Sequence, residues 1–205
     1  MNNYHENPAT TSDSFSVDAL RLCEQLTRSM SPSATPPVPV RSAGIVFGWV
    51  LWSKAFKDLE WLRIGHFFNT DQLAANWLAR LSGTNPGVSQ LLPAILCGMS
   101  PQSDYWIADP DLWGIVDQKI FRESITQTNE ALLSLWPVLK TNQYHEFCDL
   151  FLRREGVLCQ RGAHWELHIV TAPYDEPLTK NTPPPWPMQT IQFPWLHDVI
   201  QVKWK

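Results

Sequence analysis

The sequence predicts an α+β fold, a mainly helical body with a small C-terminal antiparallel β element. Three observations carry this. Apolar residues recur at helical intervals through most of 16–155, the period changes to two beyond Gly156, and the tail carries two Pro-Trp pairs, Pro185-Trp186 and Pro194-Trp195. Prolines fix the chain direction at corners, and the β-branched and aromatic residues between and after them suit half-buried strands.

The first dozen residues are polar. A helix is expected over about 16–30, with Val17, Leu20, Leu22, Cys23 and Leu26 as its apolar stripe. Residues 31–39 form a Pro-Ser segment that cannot be helical and reads as an extended linker, so residues 1–40 are separated from a domain proper at 41–205. From Ala43 to Trp61 an apolar segment again follows a helical period, with Leu59 and Leu62 at its end, weakened at its start by Gly44 and Gly48, which leaves a strand or a broken helix open there. Asn69-Thr70-Asp71 offers an N-cap for a helix through Leu81 that stops at Ser82-Gly83. After Asn85-Pro86-Gly87 another helix follows, with Pro93 in its first turn and Leu96 and Met99 further on.

The segment 112–140 is helical in period and should kink or restart at Pro137. Tyr144, Phe147, Cys148 and Phe151 extend the pattern into a last helix, closed by Arg153-Arg154 and by Gly156 as a C-cap. Val157-Leu158-Cys159 and Trp165 to Val170 then alternate as a hairpin around Gln160-Arg161-Gly162. Two short strands, roughly 188–193 and 199–204, return on each other through Pro194 to Asp198.

Composition narrows the function classes. A chain of 205 residues is about one domain and can bury roughly 70% of its unfolded surface. Eleven Trp against four Tyr is a marked excess, which serves either a thick core or anchors at protein contacts; the core is the simpler reading for most of them. A net charge of −4 gives no electrostatic footprint for nucleic acid, so no nucleic-acid partner is expected. Four scattered cysteines without a C-x-x-C read as free thiols in a reducing compartment. No secretory signal pattern opens the sequence, and Ala43 to Leu51 is too short to span a bilayer. A cytoplasmic protein without membrane insertion is expected.

The candidate chemistry is sparse. His164-x-Glu166-x-His168 places three polar side chains on one face of a strand, opposite Trp165, Leu167 and Ile169. Two imidazoles and a carboxylate are possible transition-metal ligands, but no further ligand is signalled, so a solvated polar face is the reading and no metal or cofactor is expected. Asp117, Glu123 and Glu130 stand where solvated helix charges normally stand. No nucleophile elbow, Walker loop or dinucleotide glycine pattern occurs, and Cys97 sits among apolar residues without a neighbouring His. No catalytic residues are assigned, and enzymatic activity is not expected.

In order along the chain stand Ala43-Gly44-Ile45-Val46, Leu96-Cys97-Gly98-Met99, Trp136-Pro137-Val138-Leu139-Lys140, Phe151 to Leu158, Trp165-Glu166-Leu167 and the Pro-Trp ending with Trp204. This succession resembles the contractile injection system tape measure family, over roughly residues 41–205. The resemblance implies a structural or assembly role in a phage-tail-like particle, with tail tube, baseplate or other particle components as partners and possible incorporation into an extracellular particle. A wholly helical chain of this length would span roughly 300 Å, but the Trp-rich pattern is that of a folded body, so a docking component is expected rather than an extended ruler. Its candidate contact residues are Pro185, Trp186, Pro194, Trp195 and Trp204 with the face of His164, Glu166 and His168. The alternative is a cargo effector or peptide-binding adaptor carried by such a particle.

Overall fold

The computed structural model describes residues 14–31, 34–67, 70–83, 91–100, 118–135, 144–172, 175 and 190–204. Helices and a mixed sheet share one core that runs from Val40 to Val202.

Helix α1 (Val17–Arg28) starts at Ser16, whose hydroxyl accepts from the Ala19 amide at 3.2 Å, and the Ser16 amide itself donates to the Glu155 carboxylate. Its inward stripe is Ala19, Leu22 and Leu26; Val17 and Leu20, expected on that stripe, face solvent. Leu22 and Leu26 pack on Val157, with Cys23 and Val170 at the margin. Contact with the sheet therefore selects which side of the helix is buried.

Strand β1 (Val38–Val40) lies within the segment read as a linker and pairs antiparallel with β4 (Gly156–Arg161), Val38 opposite Leu158. The sheet is thus not confined to the C-terminus, a correction to the expected architecture. Extended geometry imposed by Pro37 and Pro39 suits an edge strand as well as a linker.

Residues Ala43–Gly48 form a 3-10 turn that leads into α2 (Trp49–Asp58), so the weakened start is a broken helix. Gly44 is required there: a Cβ would stand 1.5 Å from the Phe151 carbonyl oxygen. Helix α2 ends earlier than its apolar period suggests. The chain turns at Glu60, φ 59°, and Leu62 belongs to a hairpin that the sequence reading missed, β2 (Leu62–Arg63) against β3 (His66–Phe67). The loop residues Ile64 and Gly65 both have positive φ, 52° and 79°, as a tight two-residue hairpin turn demands.

Helix α3 (Asp71–Leu81) ends at Ser82 with Gly83 at φ 66°, as the sequence indicates. The Thr70 hydroxyl does not cap it but donates to the Trp61 carbonyl at 2.8 Å. Helix α4 (Leu91–Leu96) carries Pro93 in its first turn, and α5 (Gln118–Leu135) occupies the middle of the long helical segment; Pro137 lies outside the described residues. Helix α6 (Tyr144–Phe147) continues into a π-helical turn, Cys148–Leu152. Gly156 is no C-cap. It opens β4, where a Cβ would meet the His168 carbonyl at 2.7 Å and the Ala43 methyl at 2.8 Å.

Strand β4 runs through Arg161 and turns at Gly162, φ 59°, and Ala163 into β5 (His164–Ile169). At the tail, β6 (Thr190–Ile191) pairs antiparallel with β7 (Val199–Trp204), the return expected through Pro194 to Asp198. The sheet order is β1-β4-β5-β7-β6, and β5 and β7 are parallel, Glu166 opposite Gln201 and His168 opposite Lys203. A purely antiparallel element is therefore corrected to a five-stranded mixed sheet. Its one face, with Leu158, Trp165, Leu167, Ile169, Ile200 and Val202, closes the main core. Among the seven described tryptophans Trp52, Trp61, Trp77, Trp165 and Trp195 are buried, so the excess serves mainly the core; Trp52 meets Trp77 edge to face at 5.9 Å.

Candidate functional site

Two regions hold the sequence-derived candidate residues that fall within the described chain. Pro185 and Trp186 lie outside it.

The first is the tail corner. Trp195 is in the core: its Nε1 donates to the Leu96 carbonyl at 2.9 Å, its ring stacks on Phe193 at 4.4 Å, and Phe67 meets it edge on at 5.3 Å. Gly98 permits this, since a Cβ there would stand 2.7 Å from the Trp195 carbonyl oxygen. Pro194 turns the chain at the surface, and the β2–β3 turn leans on it; a Cβ at Gly65 would be 3.1 Å from the Pro194 Cβ. Beside that contact Ile64 is 97% exposed. Trp204, at the end of β7, is 42% exposed, with its ring stacked on Phe47 at 5.4 Å and the Arg154 guanidinium 5.8 Å from its centroid.

The second region is the other face of the sheet. Alternation puts His164, Glu166 and His168 of β5 together, as the sequence indicates. The expectation of a solvated face is overturned: Glu166 and His168 are buried, and only His164 keeps partial exposure, its side chain 33% accessible. The reason is cross-strand pairing. Cys159 lies opposite Glu166 on β4, Lys203 follows opposite His168 on β7, and α1 covers part of this face. Polar groups can be buried here because they satisfy one another.

Glu166 is the hub. Lys203 Nζ pairs with Oε1, His168 Nε2 lies 3.1 Å from Oε2, Arg161 Nε is 3.6 Å from Oε2, and His164 Nε2 is 3.7 Å from Oε1. The Cys159 thiol stands 3.9 Å from Oε2. Burial alone would raise the Glu166 carboxyl, but the hydrogen bonds and charges of Lys203 and His168 outweigh it and hold the carboxyl at about 2, against an ordinary 4.5. Burial and the Glu166 charge push the Cys159 thiol up, opposed by Arg161 and Lys203. This thiol is therefore no ready nucleophile.

Cys159, Arg161 and Lys203 were missed from the sequence. Cys159 was within reach, because placing the turn at Gly162-Ala163 sets it opposite Glu166. Lys203 was not, since its position depends on parallel pairing of strands more than thirty residues apart.

No helix among the described residues is long and apolar enough to cross a membrane. No curated protein and no solved structure matches the chain. The contractile injection system tape measure protein model matches residues 3–204, nearly the whole length and wider than the expected 41–205, and the chain belongs to that family.

Proposed function

We propose that this chain is a non-enzymatic assembly component of a contractile injection particle, acting as a folded body that docks onto tube, baseplate or other particle components. Family membership supplies the particle context. The observation that carries docking is Ile64. A β-branched residue at φ 52° is sterically costly, and here it is also 97% exposed, so neither backbone preference nor burial accounts for it. Together with exposed Pro194 it forms an apolar knob held from behind by the Trp195 cluster. Trp204 is a second exposed aromatic contact. A core continuous from Val40 to Val202 favours a compact docking role over measurement by the extended length of this chain.

The test is deletion of the gene in its native host, with electron microscopy of purified particles and complementation by the intact chain or an Ile64→Asp variant. Absent or malformed particles, rescued by the intact chain and not by the folded variant, support docking through this knob. Normal particles that lose only a delivered activity would reject assembly in favour of cargo.

A further inference from the structure

The buried polar face has a geometry that ion pairing alone does not require. Cys159 Sγ, a Glu166 carboxylate oxygen and a His168 ring nitrogen all lie within 4.8 Å of one another, and all three residues are buried. His168 Nε2 is 3.1 Å and Cys159 Sγ 3.9 Å from the same oxygen, Oε2. Around a tetrahedral zinc ion, with bonds of about 2.0 Å to nitrogen or oxygen and about 2.3 Å to sulfur, neighbouring ligand atoms stand roughly 3.3–3.6 Å apart. The triad surrounds a point that such an ion fits after small side-chain adjustment. We propose that Cys159, Glu166 and His168 form a structural site for a divalent borderline ion of the zinc class, bridging β4 and β5 beneath α1.

The donor set matches that class. A thiolate, an imidazole and a carboxylate together favour zinc or cobalt over magnesium or calcium, which take oxygen ligands. His164, 3.7 Å from Oε1 rather than Oε2, stands outside the triad, so the fourth position falls to water. Binding releases the Cys159 proton, and the thiolate and carboxylate charges offset the two positive charges of the ion. The charged neighbours act against the ion. Lys203 holds Oε1, leaving Oε2 turned toward the triad, and Arg161, bonded to the Ser29 hydroxyl at 3.2 Å, lies 3.6 Å from Oε2 and also reaches the Cys159 thiol, so it must swing aside when an ion binds. Lys203 therefore lowers the affinity of the site without occupying a ligand position, an effect opposite in sign to that of the ligands.

The test is titration of the purified, chelator-stripped full chain with cobalt(II) as a spectroscopic stand-in for zinc. The expected result is one equivalent bound with a thiolate-to-cobalt charge-transfer band and tetrahedral visible bands. Cys159→Ser should abolish the charge-transfer band and weaken uptake more than about 100-fold, while Cys23→Ser keeps the band. Lys203→Met, which touches no proposed ligand atom of the triad, should tighten uptake about tenfold by removing a nearby cation. Zinc should raise the melting temperature of the intact chain and of Lys203→Met, not of Cys159→Ser. No thiolate band in the intact chain, a band that survives Cys159→Ser, or weaker uptake by Lys203→Met would each overturn the site and leave an ion-pair cluster in its place.

Discussion

Arg154 and Asp175 form a buried bidentate ion pair, Nη1 to Oδ2 at 2.7 Å and Nη2 to Oδ1, with their side chains only 4% and 14% exposed. Asp175 Oδ2 also accepts from the Ala172 amide at 2.8 Å, and Arg154 Nε donates to the Leu150 carbonyl at 3.1 Å. Phe47, Phe151 and Trp204 surround the guanidinium at 5.8, 5.4 and 5.8 Å. The pair ties the chain after β5 to the junction between the π-helical turn and β4. Asp175→Ala leaves this charge buried without its carboxylate and should cost about 3–5 kcal/mol in urea unfolding. A loss under about 1 kcal/mol would show that the guanidinium reaches water in solution.

The two described Pro-Trp-tail tryptophans should respond differently. Trp195→Ala removes a core ring and a hydrogen bond to Leu96, and is expected to cost about 3–5 kcal/mol. Trp195→Phe keeps most of the packing but orphans a buried carbonyl, at about 1–3 kcal/mol. Trp204→Ala sacrifices one stacked ring at the surface and should cost only about 1–2 kcal/mol. Equal losses at Trp195 and Trp204 in thermal melts would contradict this division.

Glu166 sets an acid dependence. Its folded value of about 2 lies below the ordinary 4.5, so its stabilisation is complete above pH 4.5 and is lost as the pH falls toward 2. The shift corresponds to about 3 kcal/mol. Lys203→Met removes a main cause of the lowering, so the variant should be less stable than the parent chain at pH 7 and approach it in acid. Urea titrations at both ends of that range, with chelator present, measure the difference. A deficit that does not shrink as the pH falls would remove Glu166 as its source.

Local signals in the sequence anticipated the elements that local chemistry determines. The α3 terminus at Ser82-Gly83, Pro93 in the first turn of α4 and the alternation of β5 are set by caps, proline and period. What escaped depends on tertiary pairing. β1 reads as a linker because its prolines suit both states, and only Leu158 and Gly156 across the sheet make it a strand. The β2–β3 hairpin is hidden because its turn places isoleucine where asparagine or glycine normally signals positive φ. The candidate site was half legible. His164, Glu166 and His168 declare themselves by spacing, whereas their burial follows from β4, β7 and α1, which no local pattern brings together.

Ile64 separates stability from docking. Asn tolerates the left-handed region that a β-branched side chain resists, at a steric cost of roughly 1–2 kcal/mol for an ordinary residue. With 97% of Ile64 exposed, little packing is lost on replacement. Ile64→Asn should therefore raise the unfolding free energy by about 1 kcal/mol while weakening co-purification with particle components. A gain in both stability and capture would show that the isoleucine has no contact role, and a loss in stability would show that the hairpin turn does not hold residue 64 at positive φ. The informative result is the opposed pair, a firmer fold that assembles less well, because a residue that only shaped the turn would not weaken assembly when its strain is relieved.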